Sequence, residues 1–269
     1  MILNLKSLRK IHYKQQRKIG KEYGVDINDW GKNPYTCIKS IYLIETSAII
    51  VFLLQYTKIT PNFLSLFYAL LGVTSGVFLA SNNDILILIS LLLLFSKSSF
   101  DWADGLLARI KKKTSELGSL LDDWGGLVGS YSYLCGFGIY LYNQDKGEHF
   151  IIITFLIILI KSIDFKNYAY QRYMYRIINE DKKKDFIKKN NKKNKYGVSN
   201  SLLKLKIFFQ NFLDERSRSI DLICLLIFID NFYVNLIILD YIYYLIFFNT
   251  FMLFCGGFYI TYFKNFMKK

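Results

Sequence analysis

Apolar residues in this chain come in long blocks separated by charged segments. Five blocks, at about 62–80, 84–106, 148–165, 219–239 and 241–263, are long enough to cross a hydrocarbon layer as helices. A sixth, 118–143, is richer in Gly, Ser and Tyr, carries Asp122 and Asp123 near one end, and has the same reach. The pattern predicts an all-α, polytopic integral membrane protein with six transmembrane helices. The break between the last two spans is expected near Asp240. Residues 35–57 are also apolar but are interrupted by Lys39, Ser40, Glu45 and Thr46. They read as an amphipathic helix lying in the cytoplasmic interface. The chain thus divides into a basic N-terminal segment (1–34), the interfacial helix (35–57) and a six-helix membrane domain (58–269) with a basic loop at 166–218.

Charge placement orients these spans. Ten basic residues precede position 60, Arg109 and Lys111 to Lys113 follow the second span, and 166–218 is densely basic. The connection at 81–84 has no basic residue, that at 142–149 has only Lys146, and the turn near Asp240 has none. The alternation places both termini and the 101–122 segment in the cytoplasm, at the inner membrane if the cell is prokaryotic. A seventh span through 35–57 would put the basic N-terminus outside. Topology accounts for the net charge of +14, so no nucleic-acid partner is implied. The Lys/Asn-rich tract 181–196 reads as a solvated loop near anionic headgroups. Cys37, Cys135, Cys224 and Cys255 show no paired ligand spacing, and only His12 and His149 could join them, which argues against zinc. The polar, basic first thirty residues do not read as a signal peptide.

Where the second span meets the cytoplasm the sequence is D-W-A-D-G-L-L-A-R, from Asp101 to Arg109, followed by Gly118 and Asp122. On a helix, Asp101, Asp104, Gly105 and Ala108 share one narrow face, which Lys97 joins one turn earlier. Gly118, Asp122, Gly125 and Gly129 share a face of the next span. Turned toward each other, the two faces gather three carboxylates. That cluster is costly at a membrane boundary unless a cation offsets it. Divalent ions would do so and would hold a diphosphate, and hard oxygen ligands favour Mg2+ or Mn2+. Gly105 and Gly118 leave room for a nucleotide to approach the backbone. Singly, each acid also fits a solvated helix end and each glycine a packing seam; the joint spacing D-x2-D-G-x2-A-R-x8-G-x3-D does not.

This spacing resembles the motif of the CDP-alcohol phosphotransferases (CDP-alcohol phosphatidyltransferases), which continues to a further aspartate four residues on. Ile59-Thr60-Pro61-Asn62-Phe63-Leu64-Ser65 is similar to the family's entry to its first span. The resemblance implies transfer of the phospho-alcohol group of a CDP-alcohol donor to a lipid or soluble acceptor, with release of CMP, in phospholipid or surface-glycan synthesis. It implies two metal ions on Asp101, Asp104 and Asp122, substrate contacts from Gly105, Ala108, Arg109 and Gly118, and homodimers. The family's fourth aspartate falls on Gly126. Three readings follow. Asp123 replaces the base after a helix distortion at Gly125-Gly126, the acceptor is already ionised and needs no base, or the chain binds nucleotide or lipid without turnover.

Other charged residues read two ways. Lys97 either pairs with Asp101 or contacts a substrate phosphate. Lys161 and Asp164 form an internal pair or touch an acceptor headgroup, and Arg216 and Arg218 anchor the fifth span or meet a headgroup. Tyr241, Tyr243 and Tyr244 read as an interfacial aromatic belt.

Overall fold

The computed structural model describes residues 3–22, 34–163 and 218–263. Among them are eight helices and no strand: α1 (Leu5–Glu22), α2 (Pro34–Leu54), α3 (Pro61–Leu79), α4 (Asp84–Ile110), α5 (Glu116–Asn143), α6 (His149–Ile163), α7 (Arg218–Phe232) and α8 (Ile238–Phe263). Asp164, Arg216 and the body of the predicted basic loop lie outside the described residues.

Local sequence sets the helix starts nearest the motif. Thr60 caps α3 by accepting from the Phe63 N–H at 3.2 Å, with Pro61 in the first turn where its missing N–H costs nothing. Asn83 caps α4, and Ser115 caps α5 by accepting from the Gly118 N–H at 3.0 Å. Past the end of α4, the Lys111 ammonium donates to the carbonyls of Thr57 (2.9 Å) and Ile59 (2.8 Å), which ties the motif's exit to the α2–α3 connection.

Helix α3 packs along both α4 and α5. A Cβ added at Gly76 would lie 2.2 Å from the Ser132 carbonyl oxygen, and one at Gly136 would lie 2.3 Å from that of Gly76. Only hydrogen at these positions permits so close a crossing, the usual device where lipid offers no hydrophobic drive to association. A large aromatic core, including Phe137, Tyr140, Phe150 and Tyr243, lies where α5 to α8 meet the N-terminal half of α4. A smaller core of Leu8, Val51, Leu64, Ala103, Leu106 and Leu107 lies under the motif.

Four stretches are long and apolar enough to cross a membrane: Cys37–Leu54, Pro61–Leu79, Asp84–Ile110 and Ile238–Cys255. They mark an integral membrane protein, and Leu70, Val77, Leu92 and Phe248 turn outward from it. Three of the four coincide with predicted spans. The fourth, in α2, departs from the interfacial amphipathic helix expected at 35–57. Its polar residues face protein: Lys39 pairs with Asp221 of α7, Thr46 donates to Ser99 of α4 at 2.9 Å, and Glu45 meets Arg9 of α1 at 2.6 Å. Its remaining surface is apolar, with Ile38, Ile49 and Leu53 exposed and Leu43, Ile44 and Val51 buried. The two-sided helix is α1, which buries Leu8 and His12 and exposes Lys6, Arg9, Lys10, Lys14 and Arg17.

Helix α5 has spanning length, but its acid- and glycine-rich first half keeps it out of the apolar set. The last two helices separate at 233–237, so Asp240 belongs to the first turn of α8. Tyr243 corrects the expected aromatic belt. It is fully buried, its hydroxyl is 2.6 Å from that of Thr154 and donates to the Leu134 carbonyl at 3.1 Å, while Tyr241 is exposed.

Candidate functional site

Helices α4 and α5, which carry the three acids, both pack on α3. The carboxyl groups of Asp101 on α4 and Asp122 on α5 lie close enough to act on each other electrostatically. Asp104 lies one turn on from Asp101, is buried, and accepts a hydrogen bond from the Ser65 hydroxyl of α3. Among the described residues no basic side chain stands within 4 Å of Asp101 or Asp104 as an ion-pair partner.

The small residues behave in different ways. A Cβ at Gly105 would come 3.3 Å from the Arg109 guanidinium, so that side chain lies over the glycine. Arg109 is exposed and its Nε donates to Gln15 of α1 at 2.9 Å. Ala108 is half-buried on the same helix. A Cβ at Gly118 would meet the Asn62 side-chain oxygen at 3.1 Å, which puts the start of α3 against the start of α5.

Lys97 does not reach Asp101 as an ion pair. Its ammonium lies 5.0 Å from the centre of the Tyr68 ring and occupies the gap between Gly72 and Gly129, where an added Cβ would come within 3.1 Å and 2.1 Å of it. Lys161 similarly lies over the Tyr131 ring at 5.7 Å, and Tyr131 donates to the Lys161 carbonyl at 2.8 Å. Both lysines therefore use aromatic faces, which stabilise a partly desolvated ammonium.

Helix α5 is unbroken from Glu116 to Asn143. The distortion that would swing Asp123 into the place of position 126 is not there. What stands beside Gly126 is Tyr68: a Cβ at that glycine would lie 2.9 Å from the Tyr68 hydroxyl, and one at Gly125 would lie 2.7 Å from its ring. The hydroxyl donates to the Asp122 backbone carbonyl at 3.3 Å.

Tyr68 and Ser65 lie against the motif acids' helices, and the acid spacing alone did not point to them. Their signal was a helical stripe: Pro61, Ser65, Tyr68 and Gly72 follow at intervals of three and four and are all buried on one face of α3. Helix α1 gave no signal at all. It reaches the motif through Gln15 and through His12, which is wholly buried, lies 3.1 Å from the Ser47 hydroxyl and packs on Trp102 at 5.8 Å between ring centres. Burial, helped by the positive charge of Arg109, pushes the His12 imidazole down to about 4, so it is neutral at physiological pH.

For a divalent ion, the donor set is chemically apt. It consists of three carboxylates, hard oxygen donors of the kind that suits magnesium or manganese, and two of them stand close to each other. Among the described residues no three acids, histidines or cysteines lie close enough together to hold a metal ion as they stand.

The family model for CDP-alcohol phosphatidyltransferase matches residues 58–213, more than half of the chain and the whole of the motif. No curated protein matches the chain.

Proposed function

Because the chain belongs to the CDP-alcohol phosphatidyltransferase family, we propose that it transfers the phospho-alcohol group of a CDP-alcohol to an acceptor nucleophile and releases CMP. The observation that carries the reading is the meeting of Asp101 and Asp122 from two helices, with Asp104 alongside. Magnesium or manganese held by these three carboxylates would offset the diphosphate's charge and that of the departing CMP.

The chain's own residues do the positioning. Ser65 fixes the Asp104 carboxylate by its hydrogen bond. Gly105, Ala108 and Gly118 keep side chains out of the nucleotide's approach, and Arg109 lies over Gly105 where a phosphate oxygen could accept from it. Catalysis in this reading is charge stabilisation and in-line placement by a rigid frame. The site faces the cytoplasm by the distribution of basic residues, and the product enters phospholipid or surface-glycan synthesis.

The test is CMP release from CDP-linked donors by the purified protein, followed by mass spectrometry. Release should stop on chelation, return with magnesium or manganese, and be absent in Asp101→Asn. Tight CDP binding by the parent protein without CMP release under any donor and acceptor would favour the silent reading that Gly126 raises.

A further inference from the structure

Position 126 is where the family pattern has its fourth carboxylate. In this chain the space beside it is filled from another helix. Tyr68 crosses from α3 to lie against Gly125 and Gly126, with its hydroxyl 2.9 Å from where a side chain at 126 would begin. The ring has no freedom to move away toward α4, because Lys97 stands over it at 5.0 Å. Lys97 is itself seated by two absent side chains, at Gly72 and Gly129. Gly72, Lys97, Tyr68, Gly126 and Gly129 thus form one interlocked group spanning α3, α4 and α5. An aspartate at 126 cannot coexist with Tyr68 in this rotamer. Restoring the acid by itself would drive the phenol out of place.

The exchange alters the chemistry of the acceptor side. A carboxylate can take a proton from an alcohol and repels an incoming anion. A phenol with an ammonium behind its ring does neither: the hydroxyl, held in this structure by a long bond to the Asp122 carbonyl at 3.3 Å, can turn its one proton to an acceptor oxygen, and the ammonium adds positive charge. Asp123 does not restore the base, since α5 is regular through Gly125-Gly126 and turns that residue about 100° from Asp122.

We propose that Tyr68, held by Lys97, is an acceptor-side specificity residue, and that the acceptor attacks through an oxygen already ionised, that of a phosphate monoester. This rests on the transferase reading above. In the step, an anionic acceptor oxygen forms a bond to the donor phosphorus that carries the alcohol. The bond from that phosphorus to the bridging oxygen breaks, and its electron pair leaves with CMP. No proton has to leave the nucleophile, and the product is a diphosphate joining the two alcohols.

The experiment uses full-length protein in mixed micelles with manganese and CDP-ethanolamine, CDP-choline or CDP-glycerol. Phosphatidic acid and diacylglycerol serve as matched acceptors that differ in phosphate against hydroxyl. Manganese-dependent CDP binding is measured in parallel by calorimetry. The expected result is CMP release that depends on phosphatidic acid and not on diacylglycerol. Tyr68→Phe, which keeps the ring and its cation contact, should lower the rate with phosphatidic acid by roughly tenfold, the worth of one hydrogen bond, with CDP affinity changed less than twofold. Gly126→Asp should lower it further. Adding Tyr68→Ala to Gly126→Asp should recover CDP binding and shift the preference toward diacylglycerol. Use of diacylglycerol by the parent protein, or no CMP with phosphatidic acid despite tight CDP binding, would overturn the proposal. So would a Tyr68→Phe protein with the parent's rate and preference. A parent protein that fails to bind CDP with manganese, or whose binding survives Asp101→Asn, would instead bring down the transferase reading beneath it.

Discussion

At the α7–α8 turn, Lys146 stands between Asp230 at 3.2 Å and Asp240 at 3.3 Å, and the Tyr140 hydroxyl donates to Asp230 at 2.6 Å. The Leu236 N–H also donates to Asp230, and Lys146 caps the Leu236 carbonyl at 3.0 Å. Every charge there has a partner within the chain, and the Asp230 side chain can afford to be almost wholly buried. At the motif end Asp104 is likewise buried while Asp101 and Asp122 are half-buried, and Asp101 stands beside another acid and Asp104 accepts from a serine hydroxyl. The nearest lysine is turned onto an aromatic ring. Withdrawing a carboxylate from water with no ion pair inside 4 Å among the described residues, as at Asp104, is unfavourable. One end of the bundle has closed its electrostatics to stabilise a turn. The other gathers acids with no such ion-pair network around Asp101 and Asp104 among the described residues, which supports the proposed metal-held diphosphate there.

Changing either end separates these roles. The largest effect is expected from Asp101→Asn or Asp122→Asn, which should lower CMP release by roughly 10⁴-fold, about 5.4 kcal/mol in the barrier, while insertion and unfolding temperature in detergent hold. Normal turnover in either variant would mean that the open end is not the reacting end.

Lys146→Met attacks the closed end. Leaving Asp230 buried without its cation should destabilise the bundle by about 3–5 kcal/mol, seen as a lower unfolding midpoint in denaturant. The double change Lys146→Met with Asp230→Asn should recover much of it, because the uncompensated charge is gone. An unchanged midpoint in the single variant would show that the network is water-accessible.

Gly76→Ala tests the frame that joins the two ends. Its Cβ would lie 2.2 Å from the Ser132 carbonyl oxygen, so α3 and α5 must part, at a cost of about 1–3 kcal/mol. CDP binding should weaken together with stability, since α3 carries Ser65 and Tyr68. If stability falls and binding does not, the seam does not transmit to the site.

The smallest effect concerns α1. Burial lowers the folded-state pKa of His12 to about 4 from the ordinary 6.5. Between those values the undocked helix binds more protons than the docked one, so docking strengthens as pH rises through the window. It weakens as pH falls toward 4, by up to about 1.4 kcal/mol per pH unit. The protection factors of residues 5–22, which take out the intrinsic slowing of amide exchange at lower pH, should therefore fall between pH 6.5 and 4.5, and His12→Gln should flatten that dependence. Protection factors that do not change with pH in the parent protein would place His12 in water.

Sequence alone determined what depends on a residue and its neighbours along one helix. Apolar block length located α3, α4 and α8, and the spacing of Asp101, Asp104 and Asp122 placed three acids on two faces, because both follow from a fixed rise and turn per residue. Hydropathy misjudged α2: Lys39, Glu45 and Thr46 interrupt an apolar run identically whether they face water or Asp221, Arg9 and Ser99. It misjudged Tyr243 for the same reason, a hydroxyl at the membrane surface and one bonded to Thr154 being indistinguishable in sequence. Gly126 looked like a loss on its own strand of text. Only the packing of α3 against α5 brought Tyr68 to that gap, since which helix covers a face is decided by contacts between segments far apart in the chain, and no periodicity within a segment records its partner.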